Sequence, residues 1–342
     1  LNSPNQSDDV SETSSTSSVA IKGETMKKTI NLPPYPNGWF RVCEGDELAK
    51  GQVMPKHYMG NDLVLFRTDS GKVKVLDAFC PHLGAHLGYG GKVVGENIVC
   101  PFHAWTFNSD SGELVEVPYA KKMPPKKPCI NTWPVCEVNG IVFVWYDSEG
   151  RAPSWEIPEV PEMFNGEYTA PIKKSFMIKA HPQEMAENLV DAPHFKYIHG
   201  NEFVPTSSAE IEGHILKARL GLLFRTPRGN VEGSVNVRSY GFGFGRTLFS
   251  GIVDTLVVIT GTVVEDFQQE VTIRFFVKKM GDAGSEQAVA KAFTDEVTKQ
   301  FLEDRPIWEN KTYWEKPVLC DSDGPVSIFR KWAKQFYPQG SV

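Results

Sequence analysis

Residues 80–105 read CPHLGAHLGYGGKVVGENIVCPFHAW, and this stretch decides the fold of the first half of the chain. Cys80 and His82 open it, seventeen residues follow, and Cys100 and His103 close it. Each short cluster offers one thiolate and one imidazole, together a four-ligand metal set. Zinc sites usually pair like ligands, Cys with Cys and then His with His, so the mixed pairs point away from zinc. A two-iron, two-sulfide centre with two Cys on one iron and two His on the other needs one sulfur and one nitrogen from each of two loops. That is what Cys80, His82, Cys100 and His103 supply.

Such a Rieske [2Fe–2S] centre sits in a small all-β domain, and the flanks agree. Leu63–Phe66, Val73–Leu76, Lys92–Val94, Ile98–Cys100 and Ile141–Tyr146 are short Val/Ile/Leu/aromatic runs between Gly, Pro, Asp and Asn, the pattern of strands and turns. High-potential respiratory centres carry an extra cysteine in each loop; Ala85 and Phe102 stand there instead. Ala104 and Trp105 follow His103, so hydroxyl donors to the sulfurs are missing as well. Fewer hydrogen bonds mean a lower potential.

The whole chain sets the limits. Its 342 residues suit two domains of roughly 150 residues each. At 41% hydrophobic and 23% charged residues, whole-chain disorder, collagen and coiled coil are excluded. A net charge of −6 argues against nucleic acid as partner. No apolar run nears the ~18 residues of a membrane span, and no secretory signal is visible. Six cysteines (Cys43, Cys80, Cys100, Cys129, Cys136, Cys320) are too few for a disulfide scaffold, so a cytoplasmic setting is expected. Residues 1–30 are expected to be a disordered tail, 37–150 the Rieske domain, and 151–342 a catalytic α+β domain, joined through the Pro-bearing run 147–166. That second domain is predicted to be a long antiparallel sheet with a helix over Ser285–Trp308, whose apolar stripe runs Val289, Phe293, Val297, Phe301, Trp308.

A second constellation lies in Glu187, Asn188, Asp191, His194 and His199. In one continuous helix Glu187, Asp191 and His194 would share a stripe, and Pro193 is expected to kink or break that helix. Buried charges are costly unless paired or metal-bound. Two His and one carboxylate form the facial triad of non-haem iron oxygenases. Asp304, on the apolar face of the last helix, is expected to supply the carboxylate, unless it is only salt-bridged or at the surface, while Glu303 is rotated ~100° away. Asn188 either orients substrate and ligands or makes a helix hydrogen bond. The substrate pocket is expected between sheet and last helix, with Tyr240, Phe242 and Phe244 as an aromatic wall or as ordinary core.

These paired motifs, in this order, resemble the oxygenase component of Rieske non-haem iron oxygenases over roughly residues 37–337. Cys80–Ala85, Cys100–Trp105, Val117-Pro-Tyr119, Trp155–Pro158, Ile307–Lys311 and Arg330–Tyr337 look most like the 3-ketosteroid 9α-hydroxylases and cholesterol 7,8-desaturases. The resemblance implies a helix-grip (START-like) catalytic domain and a homotrimer. Cys80, His82, Cys100 and His103 would hold the [2Fe–2S] cluster, and His194, His199 and Asp304 a mononuclear Fe(2+). Asp191 would carry the electron link between subunits. It also implies O₂ as co-substrate and NAD(P)H used only through a separate ferredoxin reductase, possibly with a ferredoxin. Lys121, Lys122, Lys126 and Lys127 are a candidate docking face for it, or a solvated basic surface. The implied reaction is hydroxylation or desaturation of a sterol or 3-ketosteroid. A non-steroid substrate (aromatic, alkaloid or amine) stays open, as does a Rieske electron carrier without oxygenase activity.

Overall fold

A computed structural model describes residues 31–126, 128–226, 229–251 and 253–341. The expected tail, 1–30, and Lys127 of the basic run lie outside the described residues. The first half is built from β1 (Gly38–Glu44), β2 (Val53–Tyr58), β3 (Asn61–Arg67), β4 (Val73–Asp77), β5 (Lys92–Val94) and β6 (Asn97–Val99). It continues with β7 (Thr106–Asn108), β8 (Leu114–Glu116), β9 (Thr132–Trp133), β10 (Val135–Val138) and β11 (Ile141–Tyr146). They form three antiparallel sheets in the orders β1-β11-β10, β2-β3-β4-β9 and β5-β6-β7-β8.

Alternation of side chains explains how the sheets stack. On β3, Leu63 and Leu65 enter one core with Val42 and Val144, while Val64 and Phe66 enter another with Cys80, Cys100 and Trp105. On β11, Val142 and Val144 face the first core, and Ile141, Phe143 and Trp145 face the second half of the chain. Both strands are buried on both faces, which is why their sequences read as unbroken apolar runs.

The second half carries one seven-stranded antiparallel sheet, in the order β12-β18-β17-β16-β15-β14-β13. Its strands are β12 (Ile172–Ile178), β13 (Thr206–Glu212), β14 (Ile215–Thr226), β15 (Gly229–Tyr240), β16 (Phe244–Ser250), β17 (Thr255–Glu265) and β18 (Gln268–Val277). The short helices α1 (Pro182–Ala186) and α2 (His194–Tyr197) lie between β12 and β13. The long α3 (Ala283–Asn310) crosses the sheet, and α4 (Val326–Ala333) packs beside it. Asp282 caps α3 by accepting from Ser285 N at 2.9 Å. Phe293 packs on Phe249, and Phe301 on Phe176 and Trp308. Leu216, Ala218 and Leu220 of β14 take Phe329 and Trp332 of α4. This is the α+β architecture the pattern predicts.

Two open readings are decided. The chain around Pro193 breaks, as expected: after α1 comes a 3-10 turn, Glu187–Leu189, then irregular chain, and Pro193 opens α2 from outside. The Glu187–Asp191–His194 stripe therefore does not form. Tyr240, Phe242 and Phe244 do not wall the substrate pocket; they belong to cores shared with the first half and with α4. The intervening glycines are there for close approach: a Cβ at Gly243 would sit 2.0 Å from the Trp39 carbonyl oxygen.

Candidate functional site

The two cysteine loops fold alike. Cys80 N donates to Ala85 O at 2.8 Å and Cys100 N to Trp105 O at 2.8 Å. Gly84 N returns to Cys80 O and Ala104 N to Cys100 O. Four residues after each cysteine the chain turns left-handed, at Gly84 (φ 73°) and at Ala104 (φ 55°), a rare conformation for a residue with a Cβ. Cys80 and Cys100 are buried. The His82 and His103 rings lie 4.7 Å apart, and His82 Nδ1 is buried without a hydrogen-bond partner.

Burial, then the neighbouring Cys100 thiol, pushes the Cys80 thiol up to about 11. Without a counter-charge the buried Cys80 thiol is harder to ionise; a bound cation would reverse that. The donor set and the orphaned nitrogen fit a [2Fe–2S] cluster. Trp105 lies flat on His82, with centroids 4.3 Å apart and planes 8° apart, and its indole N–H donates to Tyr119 Oη at 2.8 Å. The sequence reading used Trp105 only as a missing hydroxyl and did not find this stack.

The second group comes from three segments. α2 begins with His194, the loop behind it brings His199, and α3 brings Asp304. One ligand atom from each lies within 4.8 Å of the others. Asp304 is 6% exposed and His194 8%, and both His194 Nδ1 and Asp304 Oδ1 are buried without hydrogen-bond partners. Buried polar atoms of that kind are costly unless something binds them, so the group fits a divalent cation. Both acidic neighbours on α3 reach one ring. Glu303 Oε2 lies 3.0 Å from His199 Nδ1, and Asp304 Oδ2 3.4 Å from His199 Nε2. Burial disfavours the His199 imidazolium, but the hydrogen bonds to Asp304 and Glu303 outweigh it and raise the pKa.

The remaining residues separate. Asp191 accepts from His194 N at 3.4 Å, and its Oδ2 is 3.7 Å from His194 Nδ1; the side chain is 40% exposed. Glu187 turns away to Arg330, at 2.7 Å and 3.2 Å. Asn188 is half-buried in the 3-10 turn, with no side-chain hydrogen bond among the described residues. Lys121, Lys122 and Lys126 are exposed.

A cavity of about 1040 Å³ opens between α3 and strands β13 to β16, reached from the triad through Phe195, whose ring lies 4.3 Å from that of His194 and 5.7 Å from that of His199. Phe195 lines its near end, and Leu222, Val235, Phe249, Phe293 and Val297 line its walls. The aromatic lining is thus Phe195, Phe203, Phe249 and Phe293, which the sequence reading placed in the helix stripe or left unassigned.

An all-β domain with a Cys–His/Cys–His loop pair, followed by an antiparallel sheet holding a His–His–Asp group, defines a Rieske-type oxygenase. Residues 38–134 match the Rieske [2Fe–2S] domain, and residues 144–337 match the family described as 3-ketosteroid 9alpha-hydroxylase C-terminal domain. The chain belongs to that family. The cholesterol 7-desaturase of Caenorhabditis elegans is 32% identical, over 92% of this chain and 80% of its own length. A probable 3-ketosteroid-9-alpha-monooxygenase oxygenase component of Rhodococcus rhodochrous is also 32% identical, over 92% and 84%. Dicamba monooxygenase bound to dicamba superposes with a TM-score of 0.67 at 16% identity, covering 88% of this chain and 97% of its own, a likeness of fold.

Proposed function

We propose that this chain is the terminal oxygenase of a multicomponent system and hydroxylates or desaturates a sterol or 3-ketosteroid, within lipid metabolism. The convergence of His194, His199 and Asp304 carries the reading, with Phe195 packed on both histidine rings and lining a large cavity. Cys80, His82, Cys100 and His103 hold the [2Fe–2S] cluster, and His194, His199 and Asp304 hold Fe(2+). Bound there, the two groups supply single electrons and O₂ activation.

The protein's own part is holding and excluding. Glu303 fixes the ring plane and tautomer of His199 through Nδ1, as outer-shell carboxylates do. Asp191 stays half-exposed beside His194, placed to receive a histidine N–H from a neighbouring subunit and carry the electron link. Asn188 borders the same turn, free to orient ligand or substrate. Leu222, Phe249 and Phe293 exclude water from the reacting carbon.

Two apolar rims support a homotrimer: Leu83, Tyr89 and Phe102 around the cluster loops, and Tyr197 and Trp314 near the triad, all more than 60% exposed. Among the described residues no helix is long and apolar enough to cross a membrane. Six unpaired cysteines favour a cytoplasmic setting. Electrons come from NAD(P)H through a separate reductase, docking at the exposed lysines 121, 122 and 126. The domain division falls at 150/151.

Single turnover tests this. The iron-loaded, reduced protein is given a panel of sterols, 3-ketosteroids and aromatics and then O₂. One steroid gaining an oxygen or losing two hydrogens is the expected product, abolished by His194→Ala and Asp191→Ala. Untouched steroids with a reoxidised cluster would remove the steroid reading and leave the non-steroid one.

A further inference from the structure

Oxygenase chemistry consumes protons as well as electrons. Hydroxylation is C–H + O₂ + 2 e⁻ + 2 H⁺ → C–OH + H₂O; desaturation takes the same electrons and protons and leaves two waters. A site that keeps water out must receive those protons through the protein.

One carboxyl group is built for that and has no other task. Glu184 stands on α1, 1% exposed, and neither of its oxygens has a hydrogen-bond partner among the described residues. Gln183 Oε1 and Tyr337 Oη are buried and unpartnered as well. Tyr313 ties these groups together: its hydroxyl accepts from Gln183 Nε2 at 3.4 Å, and Tyr337 feels the charge of both Tyr313 and Glu184. Arg330 faces the same patch but is taken up by Glu187 and by the Tyr313 ring, 4.9 Å away. Burial raises the Glu184 pKa more than Lys311 lowers it, and Glu187 adds to the rise. A buried carboxylate without bonds is costly, so Glu184 holds its proton. The orphaned oxygens around it are the partners that a few buried waters need.

The patch has an outer and an inner end. Lys311 follows the last residue of α3, and its side chain is 28% exposed. Its Nζ lies 3.4 Å from Glu184 Oε2 and 3.6 Å from Glu187 Oε1. It also stands seven residues beyond Asp304, about 10 Å along the helix axis. On the inner side Asn188 follows Glu184 at i+4 through consecutive helical turns, so the two side chains share a side. From there the chain runs on to Asp191 and His194.

We propose that Glu184 relays protons to the triad, loaded from solvent through Lys311 and emptied inward past Asn188. The Glu184 carboxyl group gives up one proton and becomes a carboxylate. The Lys311 ammonium group returns one to it and regains its own from water. Each cycle supplies one of the two protons that a turnover consumes. The relay rests on the oxygenase class of the chain and not on the steroid reading.

Infrared spectroscopy of the cluster- and iron-loaded protein at neutral pH tests it without substrate. A C=O stretch of an un-ionised carboxylic acid is expected, shifted in D₂O and lost in Glu184→Gln. Lys311→Met is expected to keep the band and to slow its shift severalfold after transfer to D₂O. Single turnover with cholesterol and androst-4-ene-3,17-dione is the second arm. Glu184→Gln is expected to slow product formation about a hundredfold, the low end of what a positioned acid contributes, with probe binding within about twofold. Glu184→Asp, which keeps an acid, is expected to recover most of the rate. A protein with no such band, exchange unaltered by Lys311→Met, or an undiminished rate in Glu184→Gln overturns the relay. If neither probe is oxidised by the unsubstituted protein, the steroid reading falls and the two infrared results decide the relay alone.

Discussion

At the scale of single residues, the candidate ligands are legible and the side chains that support them are not. Cys80, His82, Cys100 and His103 announce themselves by spacing, and Asp304 by being an acid on an apolar stripe. Glu303 looks like a failed rival for Asp304, because rotation about the helix axis says nothing about an imidazole arriving from another segment. In the fold both carboxylates serve His199, one on each nitrogen. Glu303→Ala is therefore expected to weaken Fe(2+) binding about tenfold, as loss of an outer-shell partner does. A chelator-competition titration reads this, and unchanged affinity would show that Glu303 does not orient the ring. Trp105 is a second hidden support. With two thiolates and neutral imidazoles, a [2Fe–2S] cluster is uncharged when oxidised and carries −1 when reduced, so water near it favours the reduced form. Trp105→Leu removes the ring from His82 and the bond to Tyr119. Its midpoint potential is expected to rise, measured by a dye-monitored titration. A potential that stays put would make the stack a packing contact alone.

At the scale of elements, strands were easier to read than the segment that carries His194 and His199. Lys92–Val94 and Ile141–Tyr146 have the predicted bounds because turn residues mark both ends. The 183–199 segment misleads because helical spacing is present in the letters, yet the pull on its side chains comes from elsewhere. Arg330 of α4 takes Glu187, α3 takes His199, and Pro193 deprives the chain of a donor between them. The β2–β3 hairpin shows another tie without a local signature. His57 Nδ1 meets Asp62 and Nε2 meets Glu265 at the end of β17, both at 2.7 Å, joining the two halves of the chain. The hydrogen bond to Asp62, against partial burial and with help from Glu265, raises the His57 pKa above 6.5. A raised folded-state value stabilises fully below the unfolded value of about 6.5 and is lost as pH climbs through the folded one. All three side chains are more than a third exposed, so the effect is small. His57→Gln is expected to lower Tm by roughly 1–2 °C at pH 6 and by less at pH 8.5. A melting series in both buffers checks it; a gap of constant size would take the charge out of the explanation.

At the scale of the molecule, the halves are held by charges that no sequence pattern reveals. Arg41 and Glu44 on β1 look like an ordinary i, i+3 pair, and Arg274 sits within an apolar strand with no partner nearby in sequence. Folding buries them together. Arg41 donates to Glu44 at 2.9 Å and to Glu270 at 2.9 Å, Tyr58 donates to Glu270 at 3.0 Å, and Arg274 pairs with Glu44 while reaching Thr260 at 3.3 Å. Burial alone would raise the Glu44 pKa; Arg274 and Arg41 outweigh it and hold it low. The consequence is an asymmetry between partners. Glu44→Ala strips the buried Arg274 guanidinium of its carboxylate and leaves Arg41 only Glu270, and removing one partner of a buried pair costs about 3–5 kcal/mol. Arg274→Met leaves Glu44 with Arg41 and puts an apolar chain among Leu256, Val258 and Phe276, so its cost is expected to be smaller. Because the network joins β1 to β18, Glu44→Ala is also expected to split one denaturation curve into two, the all-β half separating from the sheet-and-helix half. Urea unfolding followed at the Rieske visible band and by far-ultraviolet dichroism resolves them. Coincident transitions in Glu44→Ala, or a cost no greater than that of Arg274→Met, would mean that apolar packing between Trp39, Phe143 and Phe244 couples the halves without the charges.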